Sequence, residues 1–193
     1  MQRMIHFPFI TTNWNKVERT NAHLEPLGIS LDQQKADLLE LQLKTGEEIA
    51  RHKAQQAFEQ LQTALLVNDD TWEIPALNNF PGPYMKQCND HLTGADWIRL
   101  MHGVSDRTII KTMFFVVVDS LGNQEVITDK HEYYILDEAK GKNEIGPHIE
   151  VVARHGSTLS LAEEIEQNIW IEQNDEMYQT IADAIKRVSQ NNG

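Results

Sequence analysis

The chain has 193 residues, of which 40% are hydrophobic and 24% charged, a profile that excludes a disordered or fibrous protein. Its formal net charge of −12 repels polyanions at long range and argues against a nucleic-acid polymer as partner, but a small anion could still bind in a locally basic pocket. The single cysteine, Cys88, excludes an intramolecular disulfide and a cysteine-rich metal site, and agrees with a reducing, cytoplasmic location.

The N-terminal segment carries no pattern typical of export or membrane insertion. Its apolar stretch is interrupted by Pro8 and ends in the polar run Thr11-Thr12-Asn13, far short of the ~20 apolar residues that a membrane helix needs. We therefore expect no signal peptide and no membrane partner.

The first half of the chain alternates predicted strands and helices. These are a strand at 5–12, a helix at 16–27, a helix at 45–61 and a strand at 64–67. The last strand leads into Asn68, Asp69 and Asp70. We expect it to deliver two carboxylates at its C-terminal end, where open α/β sheets commonly bind ligands.

The second half of the chain also contains both predicted helices and predicted strands. The predicted elements are a tight loop at 80–83, a helix from Pro83 or Tyr84, a helix at 95–102, strands at 108–119, 124–128, 133–136 and 148–153, and helices at 161–167 and 176–188. Cys88 falls on a predicted helix and is expected to be buried. The whole pattern predicts an α/β fold with a mixed sheet.

A polar segment follows the first strand and opens the first helix: Thr11, Thr12, Asn13 and, three residues on, Lys16. Helix-start N–H groups, small hydroxyls and a lysine together can cradle a phosphate. The glycines of a Walker A loop are missing, however, and an N-cap formed by threonine and asparagine explains the same residues. The segment alone leaves both interpretations open.

The acidic pair Asp69-Asp70, with Glu40 as a third candidate, is the next feature with chemical potential. Adjacent carboxylates repel each other, which costs stability unless a cation or a lysine compensates. Mg²⁺ prefers such hard oxygen ligands together with substrate phosphates. Asn-Asp-Asp is also favourable turn chemistry, so a metal site and a solvated turn both fit.

Lys53 and Lys86 lie on predicted helices beside these segments. An isolated lysine is ordinarily a solvated surface residue, so these two bear on function only if the fold brings them together with Lys16. Around His148 and His155 the spacing does not match a helical zinc motif, which favours core or surface histidines.

Four segments match one known family in order. Residues 11–16 correspond to its Thr-Gly-Asn-x-x-Lys pattern, with Thr12 replacing the glycine. Residues 38–42 correspond to a Leu-Pro-Glu-like segment, and residues 49–57 to a lysine-containing helix. Asp69-Asp70 followed by residues 76–84 matches an acidic pair and Ala-Leu-x-x-x-Pro-Gly-x-Tyr. Over roughly its first half, the chain thus resembles the Ham1-like inosine triphosphate pyrophosphatases, which hydrolyse non-standard purine triphosphates.

The resemblance implies a single domain over residues 1–193, with two α/β lobes around a long mixed sheet and an active-site cleft between them. It implies substrate binding by Thr11, Asn13, Lys16, Lys53 and Lys86, a Mg²⁺ or Mn²⁺ site formed by Glu40, Asp69 and Asp70, and water activation by Asp70. The implied reaction converts a nucleoside triphosphate to a monophosphate and pyrophosphate. Family members are usually dimers, so a homodimer is expected.

The second half departs from the family pattern. The family's aromatic-Gly-Trp-Asp-Pro segment, which shapes the purine pocket, falls on residues 146–150, where the aromatic residue, tryptophan and aspartate are missing. The C-terminal Ser-His-Arg is also absent, and Trp170, His148 and Arg154 are the candidates to replace these groups. Two alternatives follow: the same chemistry on another nucleotide, or a nucleotide-binding protein without turnover. The retained acidic pair and three lysines favour catalysis.

Overall fold

A computed structural model describes residues 4–39, 41, 43–169 and 174–190 of the chain. Its strands are β1 (Ile5–Ile10), β2 (Ile29–Gln34), β3 (Leu65–Ile74), β4 (Phe80–Gly82), β5 (Thr108–Val118), β6 (Gln124–Ile135) and β7 (Val152–Ala153). Its α-helices are α1 (Trp14–Leu24), α2 (Gly46–Leu61), α3 (Met85–His91), α4 (Gly94–Leu100), α5 (Leu161–Glu166) and α6 (Asp175–Gln190). Within these ranges no helix is long and apolar enough to cross a membrane.

The strands form a seven-stranded sheet in the order β2-β1-β3-β5-β6-β7, and β4 pairs with β3. β1 runs parallel to both of its neighbours, with Ile5 opposite Ile29 on β2 and Ile10 opposite Val67 on β3. The β3–β4 and β6–β7 pairs are antiparallel. Parallel and antiparallel pairing in one sheet, with helices between the strands, confirms the predicted mixed α/β class.

The chain divides into two compact units, each assembled from separate segments. The first unit comprises Met1–Asp69, Met113–Asp129 and Gln173–Gly193. In it, α2 contributes a stripe of buried alanines at positions 50, 54 and 57, which pack with Leu65 and Val116. This spacing of three to four residues places the alanines on one face of the helix. A second apolar cluster of the same unit contains Phe9, Leu24 and Ile181.

The second unit comprises Asp70–Thr112 and Lys130–Glu172. Its apolar core contains Trp72, Trp97, Met101, Ile135 and Val152, all of them buried. Each unit therefore has a hydrophobic core of its own. The single-domain organisation with a cleft stays a prediction.

Several local predictions agree closely with the structure. Thr45 caps α2 with a complete capping box, in which its hydroxyl accepts from the N–H of Glu48 and the Glu48 carboxylate accepts from the N–H of Thr45. Such reciprocal bonds satisfy two helix-end donors at once. Lys53 and Lys86 lie on α2 and α3 as predicted. Cys88 is buried on α3, and burial raises the pKa of its thiol.

In the first half, one strand prediction was wrong and one strand was missed. The strand predicted at 64–67 does not end before the acidic pair: β3 continues to Ile74, so Asp69 and Asp70 lie within a strand and not in a turn. Thr71, Trp72 and Ile74 have strong strand preferences, which outweigh the turn tendency of Asn-Asp-Asp. The second error is β2, which was not predicted although Ile29 and Leu31 alternate with polar residues.

Other element bounds in the second half also need correction. The loop predicted at 80–83 includes the short strand β4, and the strands predicted at 124–128 and 133–136 are one continuous strand, β6. Instead of a strand at 148–153, a 3₁₀ turn at Pro147–Glu150 precedes the short β7. Pro147 favours a turn start because its fixed φ suits the first helical position.

Ser160 is a buried cap whose removal should be costly. Its hydroxyl donates to the Lys140 carbonyl and accepts from the N–H of Glu163 at the start of α5. We expect Ser160→Ala to lower the free energy of unfolding by about 1–2 kcal/mol in urea titration. Ser120→Ala, at an exposed turn, is the matched control. Equal effects of the two substitutions would contradict a structural role for this cap.

Candidate active site

In the first unit, the segment after β1 is organised by local hydrogen bonds. Asn13 is the N-cap of α1, and its side-chain oxygen accepts from the N–H of Lys16 at 3.4 Å. The Thr11 hydroxyl accepts from the N–H of Asn13 at 3.1 Å. The capping interpretation is therefore confirmed. It does not exclude anion binding, because these bonds use oxygen lone pairs and leave the donor hydrogens of both side chains uninvolved.

Parallel pairing places this segment beside the acidic strand. Ile10, the last residue of β1, is opposite Val67 of β3, so Thr11 lies at the same edge of the first unit as the residues that follow Val67. Within that unit, Lys53 of α2 forms an ion pair with Asp69, with Nζ 2.9 Å from Oδ2. The two side chains are only 21% and 18% exposed, so water screens the pair incompletely. The pair satisfies the predicted need of Asp69 for a compensating cation.

Asp70 belongs to the second unit and has different surroundings. Successive side chains of a strand point to opposite faces, so Asp70 shares its face with Trp72 and not with Asp69. Asp70 lies close enough to His148 to affect its pKa. The sequence predicted one acidic pair, whereas the structure gives its two carboxylates separate neighbours.

Of the remaining predicted site residues, the structure describes Lys16 and Lys86. Lys86 is exposed near the start of α3 in the second unit, and Lys16 is half-buried in the first turn of α1. Glu40 lies outside the described residues. The preceding Leu39 exchanges two hydrogen bonds with the side chain of Gln56, which lies one helical turn beyond Lys53 on α2.

Two of the three candidates for base recognition, His148 and Arg154, are described by the structure, and their surroundings differ. His148 is buried, with its ring 5.1 Å from that of Trp72 in an edge-to-face arrangement and its Nδ1 atom 3.0 Å from the Asn89 side-chain oxygen. Arg154 forms an ion pair with the buried Glu164, with Nε 2.9 Å from Oε2. Trp170 lies outside the described residues. His148 is thus the candidate that the structure brings near Asp70.

Burial sets the charge of His148. Removal from water lowers the pKa of its imidazole to about 4, because the charged form is disfavoured; the nearby Asp70 charge opposes this change, and Lys111 adds to it. The ring is therefore neutral near neutral pH. An Nδ1–H group would then donate to Asn89.

The lowered pKa of His148 predicts acid-sensitive stability. Unfolded histidine takes up a proton near pH 6.5, while the folded ring stays neutral down to about pH 4. The unfolded state therefore binds more protons in this window, and stability falls as pH falls through it, by up to about 3 kcal/mol. Urea unfolding between these pH values should show the loss in the wild type and a smaller loss in His148→Gln. The exposed His102→Gln is the control, and identical slopes for all three proteins would contradict the prediction.

Sequence reasoning missed Lys111 and Trp72. Lys111 is buried on β5, and its Nζ atom lies 5.8 Å from the centre of the Trp72 ring. One signal was present, because Lys111 stands inside an otherwise apolar strand pattern.

For metal binding, no cluster of three or more histidine, cysteine or acidic side chains occurs among the described residues. Mg²⁺ commonly binds through one or two carboxylates and substrate phosphates, and the carboxylate of either Asp69 or Asp70 has the oxygen donors for this, although strand geometry directs the two to opposite faces.

The mixed sheet, with the capped helix after β1 and the carboxylates of β3, defines an α/β protein. The sequence profile of the Ham1 family matches residues 7–168. The chain belongs to the Ham1 family.

Relatives and solved structures agree with this assignment. The chain is 30% identical over 141 residues to an inosine triphosphate pyrophosphatase of Phaeosphaeria nodorum, covering 73% of this chain and 74% of that protein. It is 37% identical over 100 residues to a dITP/XTP pyrophosphatase of Methanosarcina acetivorans, covering 52% of this chain. That match spans about half, 54%, of the Methanosarcina protein. A HAM1 protein from Coxiella burnetii has the same fold, with a TM-score of 0.77 at 20% identity, covering 95% of this chain and all of that one.

Proposed function

We propose that this protein is a Mg²⁺-dependent nucleoside triphosphate pyrophosphatase that releases a nucleoside monophosphate and pyrophosphate. Its relatives are named as pyrophosphatases of inosine, deoxyinosine or xanthosine triphosphates, which are hydrolases. The observation that carries the proposal is the Lys53–Asp69 ion pair at the strand edge that also holds Thr11. We further propose a cytoplasmic homodimer, which size-exclusion chromatography with light scattering would test.

In this proposal, three lysines and two polar side chains bind the triphosphate. Lys16, Lys53 and Lys86 neutralise its charge, and Thr11 and Asn13 donate hydrogen bonds to phosphate oxygens. The N–H groups in the first turn of α1 point toward its N-terminal end, which Asn13 caps. The helix dipole favours an anion at that end. Positioning and charge neutralisation supply most of the rate enhancement in phosphoryl chemistry.

Asp70 is proposed to orient the attacking water and to accept its proton as the water oxygen bonds to the α-phosphorus. The bond from the α-phosphorus to the bridging oxygen then breaks, and pyrophosphate leaves. Glu40 together with Asp69 or Asp70 would hold Mg²⁺ or Mn²⁺, which when bound would neutralise charge on the phosphate oxygens. Asp69 would share its charge between the metal and Lys53.

The preferred base is a separate question, and the surroundings of His148 are the reason to keep a second candidate. The segment at 146–150 lacks the family's aromatic residue, tryptophan and aspartate, and its histidine is buried against Trp72 and does not present a flat exposed ring. A pocket discriminates between bases only through donors and acceptors that it possesses. Our first proposal remains a purine triphosphate of the inosine or xanthosine type. A different nucleotide with the same chemistry is the second.

A substrate panel tests these proposals. The protein would be incubated with ATP, GTP, CTP, UTP, ITP, XTP and their deoxy forms, and monophosphate and pyrophosphate measured separately. We expect both products in equal amounts with Mg²⁺, loss of turnover with EDTA, and recovery when Mg²⁺ or Mn²⁺ is restored in excess. A preference for ITP or XTP supports the first proposal, and a preference for another base supports the second. Binding without product release would show that the scaffold has lost catalysis.

A further inference from the structure

The second unit contains a buried lysine that the proposed reaction does not use. Lys111 on β5 is only 6% exposed, and its Nζ atom lies 5.8 Å from the centre of the Trp72 ring. A lysine ammonium is rarely buried without a compensating charge, because its removal from water disfavours the charged form. Attraction to the indole face offsets part of that cost. An anionic neighbour would offset the rest.

Asp70 is placed to be that neighbour. It shares a face of β3 with Trp72, because side chains two residues apart in a strand point to the same side. His148 lies on the same indole, with ring centroids 5.1 Å apart, and both the Asp70 and the Lys111 charges act on its imidazole. Lys111 and His148 thus approach the Trp72 ring from two other segments, and Asp70 lies on the same face of β3 as Trp72.

We propose that Lys111 is a positioning residue for Asp70: its ammonium is the counter-charge that fixes this carboxylate on the face of β3 that also carries Trp72. The neutral His148 is hydrogen-bonded to Asn89 and packs against the Trp72 ring, and it adds no competing charge there. The catalytic part of this inference rests on the proposed function, since the fixed carboxylate is the one that activates water. The charge pairing itself does not depend on turnover.

A double-mutant cycle tests the pairing without any activity. Urea midpoints would be compared for wild type, Lys111→Met, Asp70→Asn and the double variant, without metal. Methionine suits the site because it is similarly long, unbranched and favourable against aromatic rings. Each single change leaves one charge without its partner, either the buried Lys111 ammonium or the half-buried Asp70 carboxylate, so we expect the double variant to lose less than the sum of the two single losses. Lys130→Met, at an exposed lysine of the same unit, should be additive with Asp70→Asn. Additive losses for Lys111 as well would overturn the pairing.

Steady-state kinetics test the positioning role. We expect Lys111→Met to lower kcat by about 10- to 100-fold, the range that misplacement of a reacting group produces, with little change in KM. Lys111→Arg, which keeps the cation, should recover most of the activity. A loss confined to KM, or equal losses in the methionine and arginine variants, would overturn the role. If the wild type hydrolyses no triphosphate, the proposed function fails and the catalytic role with it, while the urea cycle still decides the pairing.

Discussion

Replacement of Asp70 by asparagine is expected to lower kcat by at least ~10²-fold, because an amide cannot accept a proton from the attacking water. The substitution nearly preserves the size of the side chain, so the packing around Trp72 should persist and the protein should remain folded. The measurement is pyrophosphate release under saturating triphosphate and Mg²⁺. Circular dichroism and urea unfolding would be recorded on the same preparation.

Asp183→Asn is the matched control for this substitution. Asp183 is exposed on α6 and accepts a hydrogen bond only from Gln179 among the contacts described for it. Its replacement should leave kcat unchanged. Unchanged turnover in Asp70→Asn, with folding intact, would remove Asp70 from the mechanism.

Replacement of Lys53 by methionine is expected to lower kcat/KM by about 10²-fold, the typical cost of removing one group that stabilises developing charge. The substitution removes a cation from the triphosphate site and leaves the mostly buried Asp69 without the ion pair at 2.9 Å. An uncompensated carboxylate at this position should also repel the substrate. Kinetics across a range of triphosphate concentrations would separate the loss in kcat from the rise in KM.

Arg51→Met provides the comparison on the same helix. Arg51 is exposed and pairs with Glu47 one turn earlier on α2, so its loss removes a similar positive charge from the helix surface. Exposed pairs of this kind contribute little to stability, about 0–1 kcal/mol. If the Lys53 and Arg51 variants lost activity equally, the effect of Lys53 would be one of general charge and not of a specific site.

Local features of the fold could be predicted from the sequence where the signal lies within a few residues. The capping box of α2 spans only Thr45 to Glu48, and the apolar run at 113–118 of β5 is continuous. The extent of β3 could not be predicted in this way, because the acidic residues resemble a turn until their partners are known. Lys53, sixteen positions before Asp69, is the partner that makes one of these carboxylates tolerable inside a strand.

The candidate site shows the same limit more strongly. Order along the chain was sufficient to select Asn13, Lys16, Lys53 and the acidic pair, because a family pattern links them. The surroundings of Asp70 depend on Trp72, Lys111 and His148, which come together from three separate segments. No local periodicity specifies such long-range contacts. The sequence therefore identified the acidic pair but not the different environments of its two members.

Isotope labelling shows most directly whether water attacks the α-phosphorus, as proposed. The preferred triphosphate would be hydrolysed in ¹⁸O-enriched water and both products analysed by mass spectrometry. We expect a single ¹⁸O in the nucleoside monophosphate and none in the pyrophosphate. Label in pyrophosphate or in orthophosphate, or no hydrolysis of any triphosphate tested, would contradict it.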